Sequence, residues 1–138
     1  MLIRLIYSSN VARNLDARDI EDILESSRKR NPEEDITGML CYGGGKFMQY
    51  VEGERHTIND LYNRLIHDPR HKSVLLLDYL AIDKREFSDW SMGYVSASAE
   101  NVNKIIEETT GQHEFRPEIL DAQQAADLIK KLKVYLEE

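Results

Sequence analysis

The chain has almost no cysteine, little proline and no excess of positive charge. Cys41 is the single cysteine among 138 residues, so no intrachain disulfide can form. The fold must then rest on its apolar core, and the composition suits a reducing cytoplasm. There are 18 Lys and Arg against 25 Asp and Glu, a net charge of −7. The basic residues are scattered, which disfavours nucleic acid, because phosphate binding needs a concentrated basic face. No apolar run approaches the ~20 residues of a membrane span. The first residues, Met1 to Ile6, lack the basic region, apolar stretch and cleavage site of a signal peptide. A cytoplasmic protein without a membrane partner is expected.

What is present is ordinary for a globular domain: 41% hydrophobic and 31% charged residues. The length fits one domain and is enough for a core without staples. Residues 2–9 alternate as a strand, with Ile3, Leu5 and Tyr7 in one phase. A helix of about 14 residues starts near Asp16, a good N-cap, with Leu15 and Ile20 placed as a hydrophobic staple. Pro32 disfavours helical geometry at the residue before it, so the helix is expected to stop at Asn31, at the mouth of a loop. Ile36–Tyr42 and Phe47–Glu52 read as a hairpin around Gly43-Gly44-Gly45. Gly53 to about His67 reads as a second helix, with Ile58, Leu61, Tyr62 and Leu65 on its apolar face. The run Val74–Leu77, extending toward Ile82, is short enough for a buried strand. Trp90–Ser96 reads as the last strand. The order βαββαββ predicts an α+β, ferredoxin-like sheet with two helices on one face. Two more amphipathic helices, near residues 101–109 and 121–136, are expected to cover the open face or to meet another subunit. Asp121 with Gln124 imitates a capping box.

Several motifs fail as sites. Gly43-Gly44-Gly45-Lys46 lacks the spacing and the hydroxyl residue of a phosphate loop. His67 and His71 are four apart, but Pro69 between them prevents a helical pair, so no metal site is expected. Cys41 lies within a strand and reads as a buried, inert thiol. Two polar residues fall in apolar phases. Gln49 alternates with Phe47 and Val51, and Tyr7 with Ile3 and Leu5. Taken singly, each is a core residue with a satisfied polar end, and Gln49 fits the outer phase of the sheet equally.

Their company changes this. Tyr-Ser-Ser ends the first strand, and Asn31 follows the first helix. Ile36-Thr37-Gly38-Met39-Leu40 opens the second strand. Phe47-Met48-Gln49-Tyr50-Val51-Glu52-Gly53 is the third. Asp68-Pro69-Arg70-His71 follows the second helix, and Phe87-Ser88-Asp89-Trp90-Ser91-Met92 leads into the last strand. This ordered set, spanning residues 1–96, resembles the BLUF family of blue-light sensors that use flavin, and the C-terminal helices resemble those of its short, single-domain members. The resemblance implies a non-covalent flavin, FAD with FMN as the alternative. It implies that Tyr7 is the photoactive electron and proton donor. Gln49 becomes the switching glutamine at the flavin N5/O4 edge, and Asn31 a partner of the pyrimidine end. Trp90 and Met92 become the pair on the last strand that relays the switch. Arg64, Asp68 and His71 match polar positions near the ribityl and phosphate tail. Arg30 stands where many members have a first asparagine, and it is left to meet either the ring edge or the tail.

The residue types suit a flat ring with apolar faces and polar edges, which wants an apolar slot with a few placed donors and acceptors. Ile23, Leu24, Leu40 and Ile66 are the expected lining between the two helices. A glutamine amide has a donor end and an acceptor end, so turning it reverses a hydrogen-bond pattern with little change of shape. The chain is therefore expected to be a photoreceptor and not an enzyme. The alternatives are a small flavin oxidoreductase, for which no glycine-rich dinucleotide fingerprint exists, and a chromophore-free interaction domain. The 42 residues after Ser96 are below the ~50 of a typical domain. They are expected to form a helical extension on the same domain. Output is expected to pass to a separate signalling protein, from a homo-oligomer.

Overall fold

The computed structural model describes residues 1–138. Five strands form one sheet in the order β4-β1-β3-β2-β5. They are β1 (Leu2–Val11), β2 (Thr37–Gly43), β3 (Lys46–Glu54), β4 (His71–Ala81) and β5 (Gly93–Ser96). Neighbours pair antiparallel except β2 and β5, which run parallel. Helices α1 (Ala17–Glu34) and α2 (Arg55–Ile66) complete the expected βαββαββ order, followed by α3 (Glu100–Thr110), a 3₁₀ turn at Pro117–Ile119 and α4 (Ala122–Glu137).

The sheet separates two cores because side chains alternate across it. On the front, Ile3, Leu5, Tyr7, Leu40, Phe47 and Val51 pack with Ile20 and Leu24 of α1 and Ile58 of α2. On the back, Ile6, Met39, Cys41, Met48 and Tyr50 pack with Val102 and Ile106 of α3 and Leu128, Ile129 and Leu132 of α4. The C-terminal helices therefore cover the open face of the chain's own sheet. Asp16 and Asp121 both form full capping boxes, the second with Gln124 as expected.

Four expectations need correction. First, α1 does not stop at Asn31: Pro32 lies inside it and the helix runs to Glu34. Pro32 sits in the last turn, where one missing N–H costs little cooperativity. Asp35 in left-handed geometry (φ 55°) closes the end, with the Ile36 N–H donating to the Asn31 carbonyl at 2.9 Å. Second, α2 begins at Arg55 and not at Gly53, because β3 continues through Glu54. Third, β4 is not a buried strand but an edge strand, with Leu75, Leu76 and Leu80 exposed. An apolar run fits a central and an edge position equally, so its composition did not locate it. Fourth, the last strand begins at Gly93. Trp90 and Met92 lie in the loop before it, where the Trp90 N–H closes a turn onto the Phe87 carbonyl at 3.0 Å.

Candidate functional site

A cavity of about 680 Å³ opens between α1, α2 and the front of the sheet. β1 and β3 supply its floor. Tyr7 and Gln49 are direct partners in the antiparallel register, so their side chains stand side by side on the front face. The Tyr7 hydroxyl donates to Gln49 Oε1. Gln49 Nε2 in turn donates to Met92 Sδ at 3.4 Å. Tyr7 is buried. That burial, with the negative Asp68 adding to it, pushes the phenol pKa well above its ordinary value. Tyr7 is therefore a neutral phenol that holds its proton at the hydroxyl.

The walls combine apolar faces with polar edges. Helix α1 contributes Ile23, Ser26, Ser27 and Arg30, at the i, i+3, i+4, i+7 spacing of one helical face, together with Asn31. Leu61, Arg64 and Leu65 come from α2, and Leu40 and Val51 from the sheet. Asn31 is buried and its Nδ2 donates to the Ser91 carbonyl at 2.6 Å, which ties α1 to the loop carrying Met92. Arg28 reinforces the tie from the preceding turn, donating from Nε to the Met92 carbonyl at 2.9 Å.

The far end of the cavity is charged. Arg13 pairs with Asp19 at 3.0 Å, Arg64 with Glu34 at 3.1 Å and Arg70 with Asp68 at 2.7 Å. The Arg70 hydrogen bond holds the Asp68 carboxyl below its usual range. His71 packs at a tilt of 49° against Phe47 with ring centroids 5.4 Å apart, and its Nδ1 lies 2.8 Å from Ser9 Oγ. Burial lowers the His71 pKa; Asp68 pulls it back up and Arg70 pushes it further down. Arg30 lines the cavity with no carboxylate or hydrogen-bond partner of its own.

Most of the expected site residues converge here: Tyr7, Ile23, Arg30, Asn31, Leu40, Gln49, Arg64, Asp68 and His71 all line the cavity. Leu24 and Ile66 do not. Leu24 is one residue past Ile23, about 100° around the helix, and is buried in the front core. Ile66 follows Leu65 in the same way and is exposed. Met92 reaches the site through Gln49, while Trp90 packs against the back core. Sequence reasoning missed Ser26, Leu61, Leu65 and Arg70 as lining. The apolar spacing of α2 already carried Leu61 and Leu65, which share the face that shields the cavity.

The donor set fits a flavin. The volume is within the ~300–1,000 Å³ of ligand sites. Apolar side chains offer faces for a flat ring, Asn31 and Gln49 offer amide groups for its edge, and arginines gather where an anionic tail would lie. The fold and the site together define a flavin-binding sensor domain.

Comparison with known proteins agrees. The family described as BLUF, "Sensors of blue-light using FAD", matches residues 2–93. The blue light- and temperature-regulated antirepressor BluF of Escherichia coli (strain K12) is 35% identical over 81 residues, 57% of this chain and 20% of that protein. The structure "BlsA photo-activated state" superposes with a TM-score of 0.85 at 31% identity, covering 96% of this chain and 94% of that one. "BlrB - a BLUF protein, dark state structure" gives 0.79 at 30% identity, covering 97% and 96%. This chain belongs to the BLUF family of flavin-binding blue-light sensors, and the cofactor of that family is FAD. It spans only a fifth of the antirepressor it matches.

Proposed function

We propose that the hydrogen-bonded chain Tyr7–Gln49–Met92 is the light switch of this protein, and that the loop carrying Met92 and Trp90 passes its state to a separate signalling protein. When bound, FAD supplies the blue-light absorption and an excited-state electron acceptor. Tyr7 holds the proton and the electron that such an acceptor draws, at a phenol kept neutral by burial. Gln49 connects that phenol to Met92, and turning its amide exchanges the donor and acceptor that each neighbour meets. Asn31 and Arg30 hold the ring edge or tail from α1, and Arg64, Asp68 and His71 frame the charged end. Leu61 and Leu65 exclude water from the apolar face.

The continuous chain from Tyr7 to Met92 is the single observation that carries this reading, because it joins the cavity floor to a loop with contacts on the other side of the sheet. Trp90 in that loop packs on Phe87 with centroids 5.2 Å apart, and Lys133 of α4 lies 5.6 Å above the Phe87 ring. A change at Met92 is thereby presented to α4. Residues 1–96 act as the sensor, and residues 97–138 as an extension of the same domain that covers its back and offers the output surface.

The output rests on differential affinity, since a switch acts only by binding one state better than the other. In this reading the protein acts as a cytoplasmic homo-oligomer that binds or releases a partner protein. Neither nucleic acid nor membrane is a partner in this reading, and the scattered basic residues argue against the first. Size-exclusion chromatography in light and dark, alone and with candidate partners, tests this. A light-dependent change in assembly is expected. A strict monomer in both states, with a light-dependent turnover of its own, contradicts it.

A further inference from the structure

Glu52 is fully buried and has no cationic partner. It lies on β3 three residues beyond Gln49, on the opposite face of the sheet. Four donors meet its carboxylate. Thr37 Oγ1 donates to Oε2 at 2.8 Å and the Tyr50 hydroxyl to Oε1 at 3.2 Å. The backbone N–H groups of Glu86 and Phe87 donate at 2.8 and 2.7 Å, one to each oxygen. Burying a carboxylate costs several kcal/mol unless it is well hydrogen-bonded. An apolar side chain would fill this space without that cost, so the carboxylate needs another explanation than packing.

Its two backbone contacts supply one. Glu86 and Phe87 begin the turn that leads to Trp90 and Met92; Asn31 and Arg28 hold the far end of that loop, and its near end is tied to β2 and β3. The Gly38 N–H donates to the Trp90 carbonyl at 3.1 Å, and Arg85 bridges Thr37 Oγ1 and the Glu52 carbonyl at 2.8 and 3.1 Å. Phe87 is wedged between Tyr50 and Trp90, with centroids 5.1 and 5.2 Å away. Glu52 thus fastens the near end of the loop to the same strand that carries Gln49.

We propose that Glu52 is a positioning residue for the switch: it pins the turn at Glu86 and Phe87, so that Met92 is presented to Gln49 on the front and Trp90 to the back core. This rests on the Gln49–Met92 switch proposed above. Gln49 and the loop then share one rigid reference, and the barrier to rearrangement of the loop depends on that pin. Glu52→Gln keeps the shape but turns an NH₂ group toward one of the two backbone N–H groups, which then loses its acceptor. The loop is loosened without emptying the core.

The test uses the full FAD-loaded chain. In Glu52→Gln, the light-induced spectral shift should keep its amplitude, dark recovery should be at least fivefold faster, and acrylamide should quench Trp90 fluorescence more strongly in the dark. Ile106→Val on α3, a change in the same core that removes no hydrogen bond to the loop, should recover within twofold of the parent and so separates loosened positioning from lost stability. If Glu52→Gln does not fold, Thr37→Val decides: it removes one donor to Glu52 and one acceptor of Arg85, and should change recovery and quenching in the same direction. Recovery within twofold of the parent, with unchanged quenching, in whichever of the two folds overturns the proposal. A parent that binds FAD but shows no light-induced shift overturns the switch itself, which the dark quenching measurement distinguishes from failure of the pin.

Discussion

Tyr7 on β1 and Gln49 on β3 are direct cross-strand partners, and the phenol donates a hydrogen bond to the glutamine carbonyl. The antiparallel register fixes this pair before any ligand binds. Tyr7→Phe keeps the ring and its packing in the front core but leaves no donor for Gln49. The variant should retain FAD and lose the red-shifted state. Difference absorption spectra under blue light check this, and a normal shift in Tyr7→Phe removes the phenol from the switch.

Gln49→Leu preserves volume and removes both ends of the amide. Met92 then loses its donor. The light-induced shift of the flavin carbonyl bands in infrared difference spectra should vanish while FAD remains bound. Carbonyl shifts equal to the parent's would show that another group reorganises the edge.

Arg30 differs from the other cavity arginines. Arg13, Arg64 and Arg70 each face a carboxylate, and Arg30 has none. Its charge is therefore free for an anionic or electron-rich ligand group. A charge-assisted hydrogen bond contributes about 1.5 kcal/mol or more, or roughly tenfold in affinity. Arg30→Ala should weaken FAD binding by about that factor, and titration calorimetry at two salt concentrations measures it. Unchanged affinity would place Arg30 outside the binding set.

His71 makes the fold sensitive to acid. Burial holds its pKa below the ordinary 6.5, so the neutral ring is the form that the fold favours. Its contribution to stability is complete above that value and is lost as pH falls through the lower, folded-state pKa. Melting temperature should decline from pH 7.5 to pH 5, and His71→Asn should flatten part of that decline. An identical slope in the variant would assign the acid sensitivity to other groups.

Much of this was legible in the sequence. The strand and helix order followed from period-two and period-3.6 patterns and from Asp16 and Asp121 as caps. The motif set brought Tyr7, Asn31 and Gln49 to one cavity. What was not legible depended on tertiary context. Pro32 signals a helix end, but its place in a last turn is fixed by the left-handed Asp35 and by the Ile36 N–H bonding back to the Asn31 carbonyl. The leucines of β4 read the same in an edge strand as in a central one. Leu24 and Ile66 sit one helical step from the cavity wall, and only the docking angle of each helix decides which of two adjacent apolar residues faces the ligand. Glu52 read only as the last residue of its strand, and nothing local announces that a distant loop will cover it.

The back core makes a further demand. Removing residues 97–138 would bare Ile6, Met39, Met48 and Tyr50, all buried now. Exposed apolar patches of this kind drive association. The truncated chain should be insoluble or aggregated in light scattering, and a soluble, monomeric 1–96 fragment that retains FAD would show the extension to be a separate unit.

The most direct measurement is the absorption spectrum of the purified protein loaded with FAD, recorded in the dark, during blue light and after return to darkness. A small red shift of the visible band that appears in light and reverses in darkness is predicted, with the flavin released intact on denaturation. A bound flavin whose spectrum stays unchanged in light, or one that a nicotinamide reduces steadily with turnover, would contradict a light switch built on Tyr7 and Gln49.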